Sequence, residues 1–135
     1  MTLNIAHRGA SALAPENTMA AFAMAVELGT DAIELDLHVS RDGELVVIHD
    51  HTLDRTTDGE GPVHTRSLQE LKRLDAGRWF GESFAGQRIP TLAEVLDRFS
   101  GKIPLALEIK AGSAFFRGID CRFFNACTEI KAHHP

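Results

Sequence analysis

Ala32-Ile33-Glu34-Leu35-Asp36-Leu37-His38-Val39 decides the fold of this chain. Its period of two places Ile33, Leu35 and Leu37 on one face of a strand and Glu34, Asp36 and His38 on the other. A strand that packs Leu and Ile on one side and turns carboxylates to the other needs a polar cavity there, because Asp and Glu are rarely buried without a partner. Leu105-Ala106-Leu107-Glu108-Ile109-Lys110 repeats the device, with Ala106, Glu108 and Lys110 opposite Leu105, Leu107 and Ile109. Glu34, Asp36 and Glu108 therefore offer three carboxylates from two strands. A hard, oxygen-seeking cation, Ca²⁺ or Mg²⁺, suits such a set. The plainer alternative is that one or more simply pairs with Arg or Lys.

The flanking sequence supplies the other elements. Residues 3–6 read as a short buried strand that delivers His7 to its end, and Gly9, Ala10, Ser11 and Pro15 form a loop. Asn17 or Thr18 caps a helix running through Leu28, with Met19, Phe22, Ala23 and Val26 at helical spacing and Gly29 as its stop. Arg41-Asp42-Gly43 is a turn into a third strand over 44–48 that ends at His49. After a polar, turn-rich stretch, Ser67 with Glu70 and Thr91 with Glu94 form capping boxes for helices over 67–74 and 91–99. The order β-α-β-β…α-β favours a largely parallel sheet. Beyond Gly112 the Phe115-Phe116 and Phe123-Phe124 pairs break the pattern. A helix is expected around 122–131, leaving the strand over 105–109 with an unpaired edge open to self-association.

Composition excludes several classes of partner. With 135 residues, 44% of them apolar, the chain has the material for one packed domain. A net charge of −5 and scattered Lys and Arg argue against nucleic acid and anionic membranes. No apolar stretch approaches the roughly 20 residues of a membrane span, and with neither a basic n-region nor a long apolar run in the first residues no secretory leader is expected. Cys121 and Cys127 suit neither a disulfide framework nor structural zinc, and the cytoplasm is the expected compartment.

Two histidines, His7 and His49, end strands beside the carboxylates, where one neutral imidazole takes a proton while a protonated one gives it. Arg8 and Lys110 are the candidate phosphate ligands, a planar fork and a point charge; a salt bridge is the competing role for Lys110. Asn17 and Glu16 serve either this pocket or the helix start. Asp50 either orients His49 or makes a turn. His38, His51 and His64 read as surface or loop residues, and Trp79 with Phe80 as a local hydrophobic plug.

Taken together, His7-Arg8-Gly9, Pro15-Glu16-Asn17-Thr18, Glu34-Leu35-Asp36, His49-Asp50, Leu53-Asp54-Arg55-Thr56-Thr57 and Leu107-Glu108-Ile109-Lys110 resemble the glycerophosphodiester phosphodiesterases, in family order. The resemblance implies a TIM-barrel (β/α)₈ fold and hydrolysis of glycerophosphodiesters to glycerol 3-phosphate and an alcohol. It further implies first attack by the neighbouring glycerol hydroxyl to give a cyclic phosphate. By position, Glu34, Asp36 and Glu108 match the divalent-metal ligands, His7 and His49 the acid–base pair, and Arg8 and Lys110 the phosphate-binding positions. Residues 1–112 correspond to the N-terminal part of such a domain, about 51–89 to the family's insertion, and 113–135 to an atypical tail. A complete barrel typically needs about 250 residues, so the expected structure is roughly its first half. The alternative to an active enzyme is a truncated, inactive fragment that acts at most as a self-associating or interaction module.

Overall fold

The eight-residue strand β2 (Ala32–Val39) is the centre of the sheet. The computed structural model describes residues 2–109 and the backbone of 129–132. β1 (Ile5–His7) pairs with β2 in parallel, with His7 opposite Glu34. Leu37 of β2 has Val47 of the antiparallel strand β3 (Leu45–Val47) as one partner and Ile109 of the parallel strand β4 (Leu105–Ile109) as the other. β3 therefore continues the edge of β2 that β1 leaves at Glu34, and the C-terminal ends of β1 and β3 meet over the same stretch of β2. β5 (Glu129–Ala132) adds to the far edge of β4 in parallel, Ala106 opposite Glu129.

The parallel strands β1, β2, β4 and β5 follow one another in chain order, as in part of a (β/α)₈ barrel. β3 departs from the parallel arrangement and belongs with the excursion between β2 and the next helix. The helix expected around 122–131 is also corrected. Glu129–Ala132 is a strand, and residues 122–128 lie outside the described ones. The unpaired ladder of β4 offers hydrogen bonds that outweigh a weak local helical pattern, and the edge expected to be open is covered. The strand expected over 3–6 begins only at Ile5 and is less buried than its sequence suggests, with Leu3, ahead of it, 66% and Ile5 50% exposed. Ala6 reaches the core, whereas Ile5 lies in register with Ala32 on the carboxylate face.

The opposite face builds the core. Ile33, Leu35, Leu37, Leu105, Leu107 and Ile109 pack beneath helices α1 (Met19–Glu27) and α3 (Leu92–Phe99), whose Phe22 and Phe99 rings meet edge to face at 6.2 Å. Thr18 caps α1 by accepting from Ala21 N, and Thr91 caps α3 by accepting from Glu94 N. Ser67 does the same for α2 (Leu68–Lys72), which is shorter than the expected 67–74. The glutamates of the two capping boxes look elsewhere: Glu70 pairs with Arg41 at 3.2 Å and Glu94 with Lys72 at 2.6 Å.

The excursion between β2 and α3 has its own small core of Val46, Ile48, Leu53, Val63, Leu71, Ala76 and Ile89. Asp75 ties its far loop by accepting from the backbone N–H groups of Gly77, Arg78 and Gly86, which hold its carboxyl down at about 2. Trp79, Phe80 and Phe84 stack edge to face beside it. Leu71 is fully buried there, so Leu71→Ala is expected to cost about 2–5 kcal/mol in urea unfolding. A loss under about 0.5 kcal/mol would mean that this cluster does not cooperate with the fold. No helix among the described residues is long and apolar enough to cross a membrane.

Candidate active site

The turn after β1 sets the geometry. Arg8 sits at φ 60° and Gly9 at φ 81°, two consecutive left-handed residues that reverse the chain just beyond His7. For Arg8 this conformation is strained, and it is held by hydrogen bonds from Arg8 N to Glu34 O at 2.8 Å and from Asn17 N to Arg8 O at 2.9 Å. Asn17, also left-handed at φ 56°, is thus locked to the same turn. Gly9 packs so tightly on α1 that a Cβ would lie 2.8 Å from the backbone carbon of Ala21. Gly9→Ala combines that clash with an unfavourable φ, and a loss of about 2–4 kcal/mol is expected from thermal or denaturant unfolding. Unchanged stability would show that the turn is not built as described.

Glu34 and Asp36 project from β2, and Glu108 projects from β4 in register with Asp36. One carboxylate oxygen from each lies within 4.8 Å of the other two. Burial, then the proximity of Glu108 and Asp36, pushes the Glu34 carboxyl up to about 8. Glu34 Oε2 receives Arg8 N at 3.1 Å and lies 3.5 Å from His7 Nε2, while the buried Oε1 meets no hydrogen-bond donor among the described residues. Asp36 Oδ2 accepts from Asn17 Nδ2 at 2.9 Å. Carboxylates crowded this closely, with Asp36 buried and Glu34 Oε1 unsatisfied, fit a divalent cation with oxygen ligands.

Two histidines stand at the ends of the strands that share one edge of β2, His7 at the end of β1 and 3.5 Å from Glu34, and His49 just after β3. The His7 side chain is 63% exposed, open to a ligand. His49 follows β3, and its Nδ1 lies 2.7 Å from Asp50 Oδ1. An ionised carboxylate only accepts, so Nδ1 carries a proton, and Nε2 is the nitrogen left to exchange one with a ligand. Arg55, the largest influence on Asp50, holds that carboxyl well below the usual range, with His49 adding to it against partial burial.

His38 is not the surface or loop residue expected from sequence. It is 7% exposed on β2, and its Nε2 lies 2.9 Å from His49 O. Since a carbonyl can only accept, His38 Nε2 carries a proton and fastens the backbone of His49. Its neighbours in β2 already mark this face as inward-pointing, which is the signal that the imidazole belongs inside.

Arg8, expected at a phosphate, here has Nη1 3.1 Å from Glu16 Oε2 and Nε 3.6 Å from Asp36 Oδ2. Asn17 serves the site rather than the helix cap, which falls to Thr18. Lys110 lies outside the described residues. Sequence reasoning gave no role to Arg55, although the Leu53–Thr57 motif contains it. Its guanidinium reaches both Asp50 and Glu16, the latter 39 positions away. Glu16, opposed by burial but held by Arg55 and Arg8, is likewise ionised below its ordinary value.

The site thus joins a carboxylate cluster, two imidazoles and an arginine on one face of a parallel sheet. Residues 7–116 match the glycerophosphoryl diester phosphodiesterase family. The chain is 55% identical over 131 residues to a glycerophosphodiester phosphodiesterase of Caldanaerobacter subterraneus subsp. tengcongensis, a match covering 96% of this chain and 54% of that protein. Among solved structures, it superposes with a TM-score of 0.89 and 40% identity on a glycerophosphodiester phosphodiesterase from Agrobacterium tumefaciens, covering 99% of this chain and 58% of that one. An Oleispira antarctica phosphodiesterase in complex with the product sn-glycerol-3-phosphate gives a TM-score of 0.86 and 35% identity, with 99% and 57% coverage. The chain therefore spans about half the length of the relatives it matches, carrying the first part of their TIM-barrel fold. On sequence, fold and the match over most of its length, it belongs to the glycerophosphoryl diester phosphodiesterase family.

Proposed function

We propose that this chain carries the metal-binding and acid–base groups of a glycerophosphodiester phosphodiesterase, cleaving such esters to glycerol 3-phosphate and an alcohol. The observation that carries the reading is the cluster of Glu34, Asp36 and Glu108 within 4.8 Å, beside the point where β1 and β3 deliver His7 and His49. The product named in the Oleispira structure supports the substrate class.

Glu34, Asp36 and Glu108 would hold Ca²⁺ or Mg²⁺. Bound there, such an ion supplies charge neutralisation at phosphate and Lewis acidity toward an oxygen. The remaining work falls to side chains. One imidazole takes the proton from the attacking hydroxyl as the new P–O bond forms. The other donates a proton to the alkoxide oxygen as the old P–O bond breaks, so the alcohol leaves neutral and a cyclic phosphate remains. Water then opens that ring, losing a proton to one imidazole while the other protonates the freed glycerol oxygen, to give glycerol 3-phosphate. The Asp50 carboxylate leaves Nε2 of His49 as the nitrogen that exchanges a proton. Arg8, at the end of its strained turn, and Lys110 supply cationic contacts to phosphate oxygens.

The test is hydrolysis of glycerophosphocholine by the purified chain, with Ca²⁺ or Mg²⁺ and with chelator. Turnover that appears with the cation and vanishes with chelator is expected. Absence of metal-dependent turnover overturns the claim of activity for this chain.

A second reading, a self-associating module, draws on the exposed Leu3, Ile5 and Leu28 near β1, a strand paired only with β2 among the described residues. Sedimentation velocity separates the two: a monomer at micromolar concentration removes the second reading.

A further inference from the structure

We propose that Arg55 is a positioning residue that sets both the His49 imidazole, through Asp50, and the Arg8 guanidinium, through Glu16. The inference rests on the hydrolytic reading above and deepens it. Arg55 Nε and Nη2 donate to Asp50 Oδ2 and Oδ1, each at 2.9 Å. Nη1 and Nη2 donate to Glu16 Oε1 and Oε2 at 2.8 and 3.0 Å. One planar guanidinium thus makes two forks at once, which an ammonium cannot reproduce.

Each fork ends on an oxygen that is shared. Asp50 Oδ1 meets both Arg55 Nη2 and His49 Nδ1, the latter at 2.7 Å, so the carboxylate plane that orients the imidazole is itself fixed by Arg55. Glu16 Oε2 meets both Arg55 Nη2 and Arg8 Nη1, the latter at 3.1 Å. Glu16 therefore stays anchored by Arg55 when Arg8 turns toward an anion. From within the excursion the side chain reaches both the loop after β1 and the segment just after β3. An ordinary surface ion pair at 44% exposure would influence neither partner's function.

The experiment uses full-length protein labelled with ¹⁵N at histidine, in chelator at about pH 8, where an ordinary imidazole is neutral. Long-range ¹H–¹⁵N spectra are expected to show wild-type His49 protonated at Nδ1 alone. Arg55→Met and Asp50→Asn are both expected to give a mixture of tautomers, with Arg55→Lys in between and His7 unchanged in all. This comparison needs no turnover, so it decides the role of Arg55 toward His49 even if hydrolysis fails. Kinetics then separate the two arms. Arg55→Met should lower kcat about 10–100-fold and raise KM. On an Asp50→Asn background the kcat loss should shrink to within about threefold while the KM effect remains. On a Glu16→Gln background the KM effect should disappear. A His49 tautomer unchanged in Arg55→Met, or an undiminished kcat loss in the Asp50→Asn background, overturns the proposal. Should Arg55→Met fail to fold, Arg55→Lys carries the same comparison.

Discussion

Alanine in place of His49 is expected to lower turnover of a glycerophosphodiester by about 10²–10⁴-fold, and alanine in place of His7 by a similar factor. The loss follows from proton bookkeeping: the attacking hydroxyl must shed a proton and the departing alkoxide must gain one, and His7 and His49 are the imidazoles proposed for those transfers. Neither truncation should unfold the protein. The His7 side chain is 63% exposed and contributes little packing. His49 gives up its bond to Asp50, but Arg55 still holds both oxygens of that carboxylate, so no buried charge is orphaned. Stability within about 0.5 kcal/mol of wild type is therefore expected for His7→Ala, and a modest loss for His49→Ala. Steady-state kinetics with saturating divalent cation, beside circular dichroism and urea unfolding of each variant, give the answer. Near-normal kcat in both variants removes the acid–base assignment, whatever the metal does.

How much of this was legible before the structure depends on whether the signal was periodic. Strand β2 alternates without a break, so its bounds, its core face and its acidic face all follow from the residues at 32–39. The same holds for β4 and for the Ser67 and Thr91 caps, where a hydroxyl precedes a helical pattern. At the first helix the residues left Asn17 and Thr18 both open, and the structure chooses Thr18. The meeting of Glu34, Asp36 and Glu108 was also accessible, since two alternating strands that share a core must share their other face. What stayed hidden was set by pairing over distance. Nothing local marks β3 as antiparallel; a turn of Arg41-Asp42-Gly43 simply returns the chain along β2, and that return is what brings the end of β3, and His49 after it, back along the edge of β2 that β1 also uses. The inward face of His38 was readable from its neighbours in β2, but its partner, the carbonyl of His49, is visible only once β3 is in place. Arg55 sits in a segment with no period at all, and its partner Glu16 belongs to a different loop. The strand at Glu129–Ala132 answers the open edge of β4 rather than any alternation of its own.

The carboxylate cluster makes the second large prediction, because it should destabilise the metal-free protein and stabilise the loaded one. Glu34, with an ordinary value of 4.5, is displaced up to about 8 by burial and by its neighbours Glu108 and Asp36. A raised acid binds more protons in the folded than in the unfolded chain, so its contribution to stability is full below about 4.5 and is lost as pH rises toward about 8. Chelator-treated protein should therefore weaken progressively across that window, with a slope of at most about 1.4 kcal/mol per pH unit. A divalent cation should reverse the trend at the alkaline end, adding about 2.7 kcal/mol at a hundred times its Kd. Glu34→Gln removes the charge and places an amide beside Asp36 and Glu108. Without metal this variant should be more stable than wild type near pH 8, with a flatter pH profile. With metal it should gain far less than wild type, and its turnover should fall with its affinity for the ion. Urea unfolding at both ends of the window, with and without Ca²⁺ or Mg²⁺, distinguishes the cases. If Glu34→Gln gains as much from the cation as wild type does, Glu34 is not a ligand. If wild-type stability is flat across the window in chelator, the three carboxylates do not repel one another as this packing requires.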